Sequence, residues 1–239
     1  MKLKKPKFWD YKKPNFFAFL LLPITLVIEV SNYLIKIRKK KINENIKTIC
    51  VGNIYIGGTG KTPLVIKLNE ILKKNGFKTA TIKKYYSDQL DEQKLLDRYT
   101  NFYCSKKRVR SLEQAIKDKI DLAIFDDGLQ DRNLNYNLKF VCFNTEKWIG
   151  NGFLIPSGPL RNRLSSLKDF DAVFLNGNEE NNFEIKETIK KNNQNIKIFE
   201  TSYEIINLKK LDRNGRYIIF SGIGNPESFS KTLKRYNFN

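Results

Sequence analysis

The stretch VGNIYIGGTGKTP (residues 51–63) sets three glycines and a Lys-Thr pair between a β-rich run and a helical one. Gly57, Gly58 and Gly60 let the backbone turn its N–H groups inward around an anion. Lys61 supplies a cation for β- and γ-phosphates, and the Thr62 hydroxyl a ligand for magnesium. The candidate nucleotide loop is therefore Ile56, Gly57, Gly58, Thr59, Gly60, Lys61 and Thr62. The strict phosphate-loop spelling, G-x-x-x-x-G-K-[ST], asks for a glycine six residues before the lysine, where this chain has Tyr55. A ligand-free turn at a strand–helix junction would explain the glycines but not a Lys-Thr pair at the helix start.

The flanking pattern supplies the context such a loop needs. Residues 46–51 read as a strand. Residues 61–74 place Leu64, Val65, Leu68, Ile71 and Leu72 on one face of a helix that stops at Gly76. A strand at 78–82, a helix over 91–99 and a second helix opened by Ser111, with Gln114 as its capping-box partner, follow. IDLAIFDDG (residues 120–128) then forms a buried strand that delivers Asp126 and Asp127 to the carboxyl edge of the sheet. A carboxylate there can hold magnesium that bridges phosphates; the plainer reading is a strand that leaves the sheet through an Asp-Gly turn. Further strands are expected at 138–143, 172–175, 196–199 and 217–220, whereas the Asn- and Lys-rich residues 176–195 read as solvated surface. Strands alternating with helices imply an α/β fold, a P-loop NTPase-like parallel sheet flanked by helices.

The 239 residues, 41% of them apolar, suffice for a real core and exclude disorder for the bulk of the chain. The net charge of +19 is uneven, with +9 of it in residues 1–41. Three separated cysteines and no histidine argue against a zinc site or a disulfide framework and fit a reducing compartment. The basic N-terminus surrounds FFAFLLLPITLVI (residues 16–28), polar only at Thr25 and broken by Pro23. A span needs about 20 apolar residues, so the run is short for one. It reads as a helix at a membrane interface, its flanking lysines meeting anionic headgroups. A buried core helix, an uncleaved signal peptide and a single span are the competing readings, and no A-x-A cleavage site follows the run.

Four stretches in order, VGNIYIGGTGKTP, DDGLQ (126–130), GNGFLIPSGPLR (150–161) and SGIGNPESF (221–229), resemble the tetraacyldisaccharide 4'-kinase family. That family shares the loop without its first glycine. The resemblance implies transfer of the γ-phosphate of ATP to the 4'-hydroxyl of a lipid-borne disaccharide, at the cytoplasmic face of a bacterial inner membrane. It implies ATP and Mg2+ as cofactors, the metal held by Thr62, Asp126, Asp127 and Gln130. It makes Lys61, Arg161 and Asp91 catalytic, Asp91 standing in LDEQ (90–93) where the family has Gly-Asp-Glu-Pro and a proposed base. The expected partners are the lipid disaccharide and an anionic membrane surface, with no nucleic acid and a monomeric chain. The expected organisation is a membrane-associating segment at 1–42, a kinase core at 43–214 and the start of a second lobe at 215–239.

Several positions depart from the family. Its Ser-Arg-Gly-Tyr-Gly turn is here Lys83-Lys84-Tyr85-Tyr86-Ser87, the histidine after DDG-x-Gln is Asp131, and the Glu after GPLR is Asn162. The family's second lobe, with its Asp-His-His stretch, lies beyond Asn239, so a catalytically impaired or fragmentary nucleotide-binding protein is the alternative expectation. A GTPase would carry an Asn-Lys-x-Asp motif, which is absent. A nucleic-acid-binding protein would set its charge among stacking aromatics rather than around an apolar run.

Overall fold

The computed structural model of the chain describes residues 5–36, 46–131, 133–177, 182–205, 207–208, 211–212, 215–220 and 226–238. Lys2, Lys4, the 38–41 basic run, residues 221–225 of the last motif and the expected domain boundaries at 42/43 and 214/215 lie outside these residues.

Among the described residues seven strands form one sheet in the order β3-β2-β4-β1-β5-β6-β7, every pairing parallel. They are β1 (Lys47–Gly52), β2 (Thr79–Lys84), β3 (Phe102–Ser105), β4 (Leu122–Asp126), β5 (Leu138–Asn144), β6 (Ala172–Asn176) and β7 (Lys197–Thr201). The helices are α1 (Phe16–Leu20), α2 (Leu22–Lys36), α3 (Lys61–Lys74), α4 (Leu90–Tyr99), α5 (Arg108–Lys117), α6 (Phe183–Asn192) and α7 (Pro226–Arg235). The interior strand β4 is buried along its whole length, as a parallel sheet covered on both faces requires.

The period-2 alternation of the strands sorts the core. Cys50, Ala80, Ile82, Ala123 and Phe125 face Leu112 and Ala115 of α5. Ile49, Val51 and Ile124 point the other way, toward Val65 of α3 and Leu96 of α4. Val141, Phe143, Val173 and Leu175 build a third cluster with Ile189 of α6. Because β1 and β4 are neighbours, the loop that leaves β1 and the acids that end β4 emerge side by side at the carboxyl edge.

Three sequence expectations need correction, and one strand was not expected. Helix α5 begins at Arg108, not Ser111, and Lys107 caps it with no side-chain bond. Ser111 instead bonds the Ser105 hydroxyl at 2.9 Å, and Gln114 bonds Asp118. The buried Arg108, tied to Asp127 and Asp131, draws the helix start forward. Residues 183–192, read as solvated surface, form α6, because Ile189 anchors one face while the lysines cover the other. Residues 217–220 are not a strand: they pair with no strand among the described residues, and Ile218 and Phe220 are exposed. Edge strand β3, which the pattern did not suggest, pairs with β2.

At the N-terminus Asn15 caps α1 by accepting from the Ala18 N–H at 3.1 Å. Pro23 falls in the first turn of α2, where its missing N–H has no helical partner to lose, so the apolar run becomes two helices. Their polarity is inverted. Ala18 and Thr25 face inward, Thr25 bonding the Ser157 hydroxyl at 2.7 Å, and Glu29 pairs with Arg163. Phe16, Phe17, Leu20, Ile24, Leu26 and Val27 are exposed. Among the described residues no helix is long and apolar enough to cross a membrane.

Phe125 is fully buried and meets Tyr136 edge-to-face, ring centroids 4.9 Å apart. Phe125→Ala is expected to cost about 3–5 kcal/mol, read as a lower urea midpoint with an unchanged slope.

Candidate active site

The site is assembled at the carboxyl ends of β1, β2 and β4. Beyond Gly52, the buried Asn53 amide donates to the carbonyls of Tyr55 (2.6 Å) and Gly57 (3.3 Å) and so bends the loop from within. Gly60 has φ +80°, and a Cβ there would lie 2.0 Å from Asn176 Nδ2. Only glycine fits where the loop passes that close to β6. Helix α3 starts at the next residue, so its free N–H groups and positive end face the loop.

Tyr55, at the position of the missing glycine, is buried, and its hydroxyl bonds Asp10 and Lys5 of the N-terminal segment. It also forms an antiparallel bridge with Leu160, while the Ile56 N–H donates to Pro159 O at 2.9 Å. The Ile56 amide is thereby taken up by chain pairing, and Ile56 is not among the residues that line the cleft.

Register places the acids. Lys83 on β2 and Val51 on β1 both pair with Asp126. The Asp126 carboxylate is fully buried; its Oδ2 accepts from the Thr62 hydroxyl at 2.9 Å and from the Lys83 ammonium at 2.8 Å. Lys83 also donates to Glu92 Oε2 at 2.6 Å. Burial works against the Lys83 charge, but Asp126 and Glu92 outweigh it and raise its pKa. Asp127 turns away with φ +58°, and its carboxylate accepts from Arg161 Nη1 at 3.0 Å and 3.3 Å. Gln130 bridges Arg161 (3.4 Å) and the Asn53 carbonyl (3.3 Å). Gln130 thus sits with Asp127 and Arg161, not with Thr62 and Asp126.

A cleft of about 1250 Å³ opens over this edge. Gly57 to Thr62, Lys83, Asp91, Glu92, Asp127 and Arg161 line it. Asp91 thereby faces the same space as the loop although 30 residues separate it from Lys61. Asn53, Lys83, Glu92, Asn176 and Tyr203 were not expected at the site. The strand register that delivers Lys83 is a pairing decision with no local signal; Glu92 carried one, being the neighbour of Asp91.

The donor set fits magnesium. Asp126 Oδ1 and Thr59 Oγ1 are buried with no hydrogen-bond partner among the described residues, and the Thr62 hydroxyl lies beside Asp126. No group of three His, Cys, Asp or Glu that could hold a metal occurs among the described residues. A metal here would complete its shell with phosphate oxygens and water, the habit of magnesium rather than of zinc.

A phosphate loop that opens a helix at the edge of a parallel sheet, with a buried acid on the adjacent strand, defines a P-loop nucleotide-binding protein. The family model for tetraacyldisaccharide-1-P 4'-kinase matches residues 17–239, and the chain belongs to that family. A tetraacyldisaccharide 4'-kinase of Pelagibacter ubique (strain HTCC1062) is 52% identical over 98% of this chain and 74% of its own length. One from Rickettsia canadensis (strain McKiel) is 34% identical over 100% and 76%. A crystal structure of LpxK from Aquifex aeolicus in complex with ATP shares the fold, with TM-score 0.57 and 20% identity over 90% of each chain.

Burial works to raise the Asp127 pKa, but the charges of Lys61 and Arg161 outweigh it and hold the carboxyl below its usual range. Its folded pKa is therefore lower than its unfolded one. The ionised form stabilises the fold above about pH 4, and that contribution is lost as pH falls through the folded value. Asp127→Asn removes it, so thermal melting of variant and wild type is expected to differ near about pH 6, the difference shrinking only as the pH falls below the usual carboxylate range.

Proposed function

We propose that this chain is a lipid kinase that transfers the γ-phosphate of ATP to the 4'-hydroxyl of tetraacyldisaccharide 1-phosphate, forming lipid IVA in lipid A biosynthesis. The observation that carries this reading is the Thr62–Asp126 hydrogen bond at the base of a cleft that also exposes Lys61, Asp91 and Arg161. Membership of the family supplies the acceptor.

Phosphoryl transfer asks the protein mainly for positioning and charge neutralisation. Lys61 and the loop N–H groups hold the β- and γ-phosphates. Thr62 and Asp126, with Asp127 as the alternative acid, would hold Mg2+, which would supply positive charge to offset that of the phosphates. Arg161, steadied by Asp127 and Gln130, meets charge that develops on the transferred group. Asp91 accepts the proton of the 4'-hydroxyl as that oxygen attacks phosphorus, and the bond to ADP breaks. Residues 43–214 form the catalytic core in this reading, 1–42 the membrane-associating segment and 215–239 the beginning of a second lobe.

The acyl chains of the acceptor stay in a bilayer, so the cleft must work at its surface. The outward apolar faces of α1 and α2, beside the exposed Lys12 and Lys13, suit the headgroup region of an anionic membrane. The cytoplasmic face of the inner membrane is where ATP is available to such a site.

Wild-type chain with labelled ATP, magnesium and the disaccharide lipid is expected to yield labelled lipid, and Lys61→Ala to lower kcat by about 100-fold or more. Label transfer that Lys61→Ala leaves unchanged would refute the assignment. Sedimentation with vesicles is expected to capture the chain on anionic lipid. Replacing Phe16, Leu20 and Val27 by serine is expected to weaken that capture by about tenfold; equal capture would refute the interfacial role.

A further inference from the structure

Lys83 is among the largest fully buried side chains of the described residues, and nothing in the phosphate-binding loop requires a lysine there. A buried ammonium is costly unless fully paired. Two carboxylates pair it, Asp126 Oδ2 at 2.8 Å and Glu92 Oε2 at 2.6 Å. One lies at the tip of the sheet and the other in the first turn of α4. The face of β2 that carries Lys83 also carries Thr79, bonded to Asn69 of α3 at 2.7 Å, and Thr81, bonded to Thr100 at the end of α4. A polar seam thus docks α3 and α4 on β2. Thr79 and Thr81 make neutral bonds and do not line the cleft; Lys83 is the charged end of the seam and lines the cleft.

From this placement we propose that Lys83 is a positioning residue of the transfer site. Its ammonium ties up one oxygen of Asp126, leaving the other for a cation, and holds Glu92 so that the adjacent Asp91 stands against the phosphate loop. The proposal rests on the kinase reading for its catalytic consequence only. Its electrostatic consequence stands apart from that reading. A fixed positive charge beside Asp126 repels a divalent cation and shares its ligand, so the wild-type site binds magnesium more weakly, and in a more defined place, than the acids alone would.

Lys83→Met, Lys83→Arg and Glu92→Gln test this, with Thr81→Val as a seam variant outside the site. Magnesium is titrated calorimetrically into each protein saturated with a non-hydrolysable ATP analogue. Lys83→Met is expected to tighten magnesium binding by about tenfold, whereas Lys83→Arg and Glu92→Gln stay near wild type because the cation remains. In the transfer assay, Lys83→Met is expected to lose about 100-fold in kcat and Glu92→Gln about tenfold, each with little change in the KM for ATP. Thr81→Val is expected to lower the urea midpoint while kcat stays within about twofold.

Unchanged or weaker magnesium binding in Lys83→Met overturns the proposal, as does a kcat that merely follows the loss of stability across Lys83→Met and Thr81→Val. If Lys83→Met does not fold, Glu92→Gln decides: its carboxamide leaves α4 without the ion pair on a partly exposed side chain, and an unchanged kcat refutes the tether. If wild type transfers no phosphate, the kinase reading fails while the magnesium titration still decides the role of the lysine.

Discussion

A carboxylate with no access to water closes the carboxyl end of β4. Asp126 is fully buried, and removing one partner from such a buried charge costs about 3–5 kcal/mol. Its environment is therefore not free to vary. Thr62 comes from the start of α3, Lys83 from β2, and through Lys83 the first turn of α4 is drawn in. The parallel register of β1, β4 and β2 brings these groups to one level. A slip of one residue would turn Lys83 into the apolar layer under α5 and leave the aspartate unpaired. The catalytic edge and the packing of the sheet are one constraint seen from two sides.

The second acid shows how neighbouring residues acquire different work. Asp127 follows Asp126 directly, but a left-handed backbone at this position sends its carboxylate toward Arg161 and Gln130. Its N–H donates to Val51 O and its carbonyl accepts from Arg108, so the strained turn is held on three sides. The segment that supplies Arg161 is fixed in turn by chain pairing with residues 54–56 and by the N-terminal helices. Arg161 N–H donates to Ile54 O, Thr25 bonds Ser157, and Trp9 donates to Pro156 O at 3.0 Å. The helices with outward apolar faces are thus part of the body that carries the cleft, attached through their polar side. That inversion leaves the apolar side chains outward and the polar ones on the body of the protein.

Helix α3 and strand β4 were legible because each is specified locally, by a glycine-lysine turn and by an unbroken apolar run. Strand β3 and helix α6 were not. Phe102–Ser105 is short and half-exposed, and it is a strand only because β2 offers an edge. In α6 a single fully buried isoleucine outweighs a surface of Lys and Asn that looks like loop. Residues 217–220 failed the other way: apolar and β-prone, they pair with no strand among the described residues. The capping-box pattern at Ser111 is not used, because Arg108, through its contacts with Asp127 and Asp131, starts the helix three residues earlier.

For the site, the amino-acid order alone determined which residues could grip phosphate and metal: Gly57 to Thr62 and the Asp126-Asp127 pair are each contiguous, and a phosphate loop is a property of consecutive backbone. Tertiary structure decided everything that depends on distance through space. It divided the two aspartates between Thr62 and Arg161, moved Gln130 to the second of them, and set a lysine from another strand beneath the first. Backbone conformation is written in neighbours along the chain, whereas the balance of buried charge is struck between strands whose adjacency appears only when the sheet closes.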